Sequence, residues 1–312
     1  TRVDADRRLE ALSWIVARPA GDRRAAERFV RYADNARIDL SALYAALDDR
    51  DQVLAAALAV PSPGRTAMLF TSNPTTEAAL TVARQLLDVV CTELARLDVN
   101  LAQMLLDPHE QGRQALLEAG GFEHLARLAY LERPLPHRRH PAPRWPDDIQ
   151  LDAWDEDRRD DWIEALELTY IDTLDCPGLL GRRRTGDVMT GHQATGRFQP
   201  ELWTLVRRHG RPRGVLMLNP APASDSIELV YIGLAPELRG RGLARTLLHH
   251  GFDQLRGRSE RSINLAVDER NAPAQRLYRS EGFRRVLRRI AYIRPIASAT
   301  GDASTAEPMP MP

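Results

Sequence analysis

The chain has 312 residues, 43% of them hydrophobic, and its 43 basic side chains, all arginine, balance 43 Asp and Glu. That length exceeds one typical domain and predicts two cores of about 150 residues each. Charge neutrality argues against non-specific nucleic-acid binding, which draws on a strongly basic surface. Cys91 and Cys176 offer neither a disulfide framework nor a metal-ligand spacing, so a reduced, cytoplasmic setting without a bound metal is expected. No run of 18 apolar residues occurs and the opening TRVDADRRLEAL is charged, which predicts neither a membrane span nor a signal peptide.

In chain order, TAMLF (66–70) reads as a strand followed by a helix. RPLPHRRHPAPRWP, from 133, holds five prolines among basic residues. Proline removes backbone donors and extends its predecessor, so 133–147 is expected to link two domains, 1–132 and 148–296. DIQLDAW alternates as a strand. In the acid-rich segment after it, Trp162, Ile163, Ala165, Leu166 and Tyr170 fall at helical spacing. ELWTLVRR and GVLMLNP flank the turn-rich HGRPR and predict a hairpin. IELVYIGL is a strand, and Leu243, Leu247, Leu248, Phe252 and Leu255 mark an amphipathic helix. SINLAVD is a strand, NAPAQRLYRSEG a short helix closed by Gly282, and RRIAYIRP a last strand. Residues 297–312, small and proline-rich, cannot offset their ordering entropy and are expected to form a disordered tail.

MLLDPHEQGRQALLEAGGF (104–122) matches LAVDERNAPAQRLYRSEGF (265–283) at a constant offset of 161 residues. Asp107 then aligns with Asp268, Leu116 with Leu277, Gly121 with Gly282 and Phe122 with Phe283. A strand and a helix precede each stretch, so one fold, duplicated, is the simplest account. The copies differ in their polar positions: TSNPTTEAAL follows TAMLF without any Arg/Gly turn, and Leu117 stands where the second copy has Tyr278.

The second copy places PELRGRGLARTLL between a strand and a helix. A helix start leaves N–H groups unpaired and attracts anions. Gly240 and Gly242 let a phosphate approach the backbone, and Arg239 and Arg241 add charge. For the two glycines taken alone, an ordinary strand-to-helix turn is the simpler account. A dinucleotide fingerprint would need a third glycine, and a P-loop would need GK[ST].

At these residues the sequence resembles the GNAT acetyltransferases. Arg239-Gly240-Arg241-Gly242-Leu243-Ala244 fits their acyl-CoA loop, [QR]-x-x-G-x-[GA], and NAPAQRLYRSEGF fits their N-x-x-A-x-x-x-Y-x-x-x-G-F motif. The resemblance covers about 148–296 well and 1–132 more weakly, a tandem layout similar to the mycothiol synthase branch. It implies an α/β (α+β) chain of two GNAT-like domains, each a mixed, largely antiparallel sheet flanked by helices, with the second active and the first degenerate. It also implies a strand bulge that opens a V-shaped gap for the pantetheine arm of acetyl-CoA, bound along the backbone of Ile232, Gly233 and Leu234.

By the same resemblance Tyr278 protonates the departing thiolate; the alternative is a packing tyrosine. Asn271 reads as a helix cap that can also touch the cofactor. Tyr170, Asp172 and Asp175 fall where the family lines its acceptor pocket. Glu228, eleven positions before Arg239, has the spacing of the general base in the histone-acetylating branch, and alternation would put 228, 230, 232 and 234 on one face. Solvent exposure at the strand end is the competing reading. Cys176 has no recognisable activating base, and His249 and His250 have no visible metal partners. The expected function is acetyl-CoA-dependent acetylation of a primary amine, in a small molecule or a peptide, by a monomer or homodimer. A non-catalytic acyl-CoA sensor is the alternative.

Overall fold

The computed structural model describes residues 1–16, 21–135 and 144–297. The middle of the expected linker and the expected tail beyond 297 lie outside the described residues. The first half comprises α1 (Arg8–Val16), α2 (Arg23–Ala36), β1 (Leu43–Leu47), β2 (Val53–Ser62), β3 (Thr66–Thr71), α3 (Glu77–Arg96), β4 (Leu101–Leu106), α4 (Gln111–Ala119) and β5 (Glu123–Pro134). The second comprises β6 (Ile149–Ala153), α5 (Arg159–Tyr170), α6 (Thr185–Ala194), β7 (Trp203–Arg208), β8 (Arg211–Ala221), β9 (Ser226–Leu234), α7 (Leu243–Gln254), β10 (Ser262–Asp268), α8 (Ala272–Ser280) and β11 (Arg284–Pro295). The 161-residue offset carries both ends of α4 onto α8 and both ends of β5 onto β11, so the internal repeat is structural.

All eleven strands form one sheet in the order β1-β2-β3-β4-β11-β5-β10-β9-β8-β7-β6. The last strand of each half crosses over: β11 pairs with β4, and β5 pairs with β10. β5 and β11 then run antiparallel to each other at the centre. Arg133 and Pro134, at the start of the expected linker, are the end of β5.

Each half packs helices on both faces. In the first, Leu87, Val90 and Leu116 from α3 and α4 cover Leu69, Met104 and Tyr292, while α1 covers Leu43 and Leu58 from the other side. In the second, Leu247, Phe252 and Tyr278 from α7 and α8 cover Leu216, Ile263 and Leu265. Trp162, Leu166 and Met189 from α5 and α6 cover Trp203, Leu205, Val215 and Met217 on the opposite face. The alternation of 215, 216 and 217 between those two cores is the period of a strand buried on both sides. The helices that matter for the site have local start signals: Thr76 caps α3 and Asn271 caps α8, the latter by accepting from Ala274 N at 3.2 Å. Among the described residues no helix is long and apolar enough to cross a membrane.

Candidate active site

β9 pairs with β8 along its length but with β10 only at Ser226, Ile227 and Glu228. Met217 stands opposite Tyr231 and Leu218 opposite Leu229, so Val230 is an extra residue, a bulge. A bulge bends its strand, and here β9 diverges from β10, leaving the edge of 229–234 without a strand partner. The expected gap is therefore present, and it opens a cavity of about 660 Å³ lined by residues 229–234, the Arg/Gly turn and α8. The expected common face of 228, 230, 232 and 234 is not. Ile227, Leu229, Ile232 and Leu234 pack toward α7 and α8, whereas Val230 and Tyr231 pack toward α5, because the bulge shifts the alternation by one.

At the mouth of the cavity, Gly240 and Gly242 adopt φ of 73° and 78°. Nothing lies within 4 Å of a Cβ built at either, so backbone conformation and not crowding calls for glycine. The N–H groups of residues 240–244 donate to no acceptor among the described residues, as at an open helix start. Gly240, Gly242, Leu243, Ala244 and Asn271 all line the cavity. Arg239 lines it too, but its guanidinium is engaged by carbonyls: Nε donates to Leu234 O at 2.9 Å, Nη2 to Thr169 O at 3.0 Å and Nη1 to Asp172 O at 3.4 Å. It ties the turn to β9 and to the end of α5. Arg241 is exposed and is not a lining residue. The sequence reading missed Arg245, which lines the cavity while bonding Glu281 and Ser280, each at 2.8 Å.

Deeper in, Tyr278 is buried, with its ring edge-on to Phe283 at 5.5 Å. Burial holds its hydroxyl protonated well above the ordinary tyrosine range, and the nearby Asp175 and Tyr231 push the same way. Asp175 lines the cavity and accepts from Asp268 N at 3.0 Å. Burial raises its carboxyl above the usual range, against that hydrogen bond. Asp172 also lines the cavity. Tyr170 does not; it packs edge-on against Tyr231 at 6.0 Å. Tyr231 and Thr169, which no motif marked, share a hydrogen bond of 2.8 Å beside Tyr278. The apolar context of LVYIGL concealed Tyr231 as one more core residue.

Glu228 lies outside the lining residues, on the face opposite Ile227 and Leu229. It has no hydrogen-bond or ionic partner among the described residues, and burial raises its carboxyl. Its negative charge is felt by Tyr130 of β5. Burial pushes the Cys176 thiol up to about 12, the direction that disfavours a thiolate. His249 bonds Glu281 at 2.8 Å. His192 of α6, a helix not foreseen, stacks on Tyr231 at 5.7 Å and is kept neutral by burial, its pKa lowered to about 4.

Residues 151–283 match the Acetyltransferase (GNAT) family. A mycothiol acetyltransferase of Thermomonospora curvata is 31% identical over 183 residues, which is 58% of this chain and 59% of that protein. The chain spans about three fifths of the length of the curated relatives it matches. A GCN5-related N-acetyltransferase from Sphaerobacter thermophilus superposes at a TM-score of 0.60, with 21% identity and 94% of each chain covered. A tandem GNAT protein from the clavulanic acid biosynthesis pathway superposes at 0.52, with 15% identity over 95% of this chain and 97% of that one. Both share the fold across both halves.

Proposed function

We propose, from the premise that residues 151–283 of this chain belong to the acetyltransferase (GNAT) family, that the protein moves an acetyl group from acetyl-CoA to the primary amine of a small molecule. The observation that carries this reading is the continuity of one cavity from the unpaired N–H groups at 240–244, along the free edge of β9, to the Tyr278 side chain. The amides take the pyrophosphate, where the helix start and αL glycines favour negative charge. The free edge of 229–234 takes the pantetheine amides and aims the thioester at Tyr278.

The amine attacks the thioester carbonyl, the carbon–sulfur bond breaks, and Tyr278, neutral because it is buried, donates its proton to the departing sulfur. The amine also loses a proton. Glu228 takes it through water from the far face of the sheet, its raised pKa bringing it closer to the operating pH than an exposed carboxylate would be. Asp175 and Asp172 face the acceptor as cationic-amine contacts. The names of the relatives make a thiol-bearing amino-sugar conjugate the first acceptor to test.

Calorimetry with acetyl-CoA, followed by mass detection of product from cysteinyl-glucosamine and a panel of amines, tests the reading. One mole bound per chain and an acetylated product are expected. Binding without turnover across the panel would favour a sensor, and no binding would overturn both readings.

A further inference from the structure

The segment 171–184 between α5 and α6 brings Asp172 and Asp175 to the cavity, yet it has little core of its own. Ile171, Leu174 and Leu180 are each about half exposed, at 48%, 50% and 50%. A segment that buries so little is held by its polar and backbone contacts or is not held. Within its own half those contacts include the bond from Asp268 N to Asp175 and the one from Arg239 to Asp172 O, while backbone bonds join its two ends to α5 and α6: Thr173 N to Tyr170 O, and Asp187 N and Val188 N to Arg184 O.

The side chains of its second part reach into the first half. Arg182 grips Glu123 of β5 through both carboxylate oxygens, at 2.6 and 3.3 Å. Arg183 donates to Gly64 O, in the β2–β3 turn, and to Asp187 O in the first turn of α6, both at 3.3 Å. No carboxylate pairs with Arg183 among the described residues, so carbonyls of both halves hold its charge. A Cβ on Gly64 would sit 2.3 Å from Asp187 O and 3.0 Å from Gly191 N, so α6 rests directly on that turn. A Cβ on Gly178 would meet Leu125 of β5 at 3.0 Å.

We propose that the first half is a positioning platform for the acceptor loop: Glu123 and Gly64, through Arg182 and Arg183, set where Asp175 stands opposite Tyr278. The inference rests on the reading of this cavity as an acetyl-transfer site and extends it to the half that carries no Arg/Gly turn. Reactive groups tolerate little misplacement, so a loop set by distant contacts controls acceptor binding without touching the acceptor. Arg182, Arg183 and Glu123 are positioning residues.

The test uses the full chain and a charge swap. Arg182→Glu puts two carboxylates together at a partly exposed site, where water screens their repulsion and the fold is expected to survive, checked by an unchanged circular dichroism spectrum. Amide hydrogen exchange should rise several-fold within 171–184 and stay unchanged within 243–254. With cysteinyl-glucosamine as probe, acceptor KM should rise about fivefold, the scale of an exposed ion pair reversed, with acetyl-CoA KM and kcat unchanged. Adding Glu123→Arg should restore both readouts, and Arg183→Met should reproduce the single variant. Unchanged exchange in 171–184, no restoration in the swapped pair, or a parallel rise in acetyl-CoA KM would overturn the platform. If the unaltered chain binds no acetyl-CoA, the transferase reading fails by itself, and the exchange comparison still decides whether the first half holds the loop.

Discussion

The gap between β9 and β10 has a counterpart between β3 and β4, and the two have been resolved in opposite ways. β3 also pairs with its parallel neighbour for only three residues, Thr66, Ala67 and Met68, before diverging. There the likeness stops. β2 and β3 keep an unbroken register from Ala57 and Thr71 to Ser62 and Thr66, with no residue corresponding to the bulge at Val230. The space is filled by Arg113, at the position that corresponds to the cavity-lining Ala274. Its Nε donates to Thr71 O at 2.8 Å, its Nη2 to Ile15 O at 2.6 Å, and its Nη1 to the carboxylate of Glu110. Gly112 lies so close to Pro74 that a Cβ would be 2.1 Å from its carbonyl oxygen, and Leu117 is fully buried where Tyr278 stands in the other half. In this chain the scaffold opens the cavity in the half where a bulge bends the strand and a small side chain faces the opening, and in the other half an arginine occupies the corresponding place.

The comparison can be broken from the filled side first. Arg113→Ala leaves the buried Glu110 without its guanidinium and should destabilise the chain by about 3 kcal/mol, read as a lowered Tm. If the first half is only a packing unit, acetyl-CoA stoichiometry stays at one in this variant; a second site appearing would show that the arginine alone blocks it. On the open side, Tyr278→Phe should lower kcat about 100-fold, with acetyl-CoA affinity unchanged in calorimetry. An unaltered kcat would leave thiolate protonation to water. Gly242→Asp puts a carboxylate beside the unpaired amides and should weaken acetyl-CoA binding about tenfold, or about 1.4 kcal/mol. Nothing within 4 Å obstructs the new side chain, and Asp tolerates the αL conformation, so unchanged affinity in the folded variant would remove phosphate from this turn.

The smallest effect concerns Glu228. Its folded-state pKa is raised, so its contribution to stability is full below the unfolded pKa and is lost as pH rises through the folded value. Glu228→Gln should therefore equal the unaltered chain in stability at low pH and exceed it at neutral pH. The same substitution should remove the acidic limb of the kcat profile. Equal stability at both pH values would place the carboxyl in water, and an unchanged limb would assign deprotonation elsewhere, with Asp175 as the next carboxylate to substitute.

Much of the second half was legible from local pattern: the hairpin of β7 and β8, the amphipathic α7, the capped α8 and the Arg/Gly turn each depend on residues close in sequence. The same holds for the repeat, which survives as aligned glycines, apolar positions and element limits at one offset. The side-chain commitments were not legible. Arg239 reads as a free charge in the motif and is spent on three carbonyls, two of them in and just beyond α5, about seventy residues away in sequence. Arg113, which no sequence signal singled out, donates to carbonyls of β3 and α1 in the first half.

By itself, then, the sequence determined most elements of the second half, where the Arg/Gly turn lies and that one copy keeps a tyrosine the other lacks, because helix caps, turns and apolar periods act over a few residues. Only the tertiary structure decided the rest. LVYIGL is apolar on both faces, so no alternation in it can show that Val230 slips the phase and turns Glu228 away from Ile232. Nor can a single strand's pattern name its neighbour: β5 and β11 are each suited to either half, and pairing across the chain exchanged them. That exchange joins the two halves into one sheet and sets the start of β5 against the loop that carries Asp175.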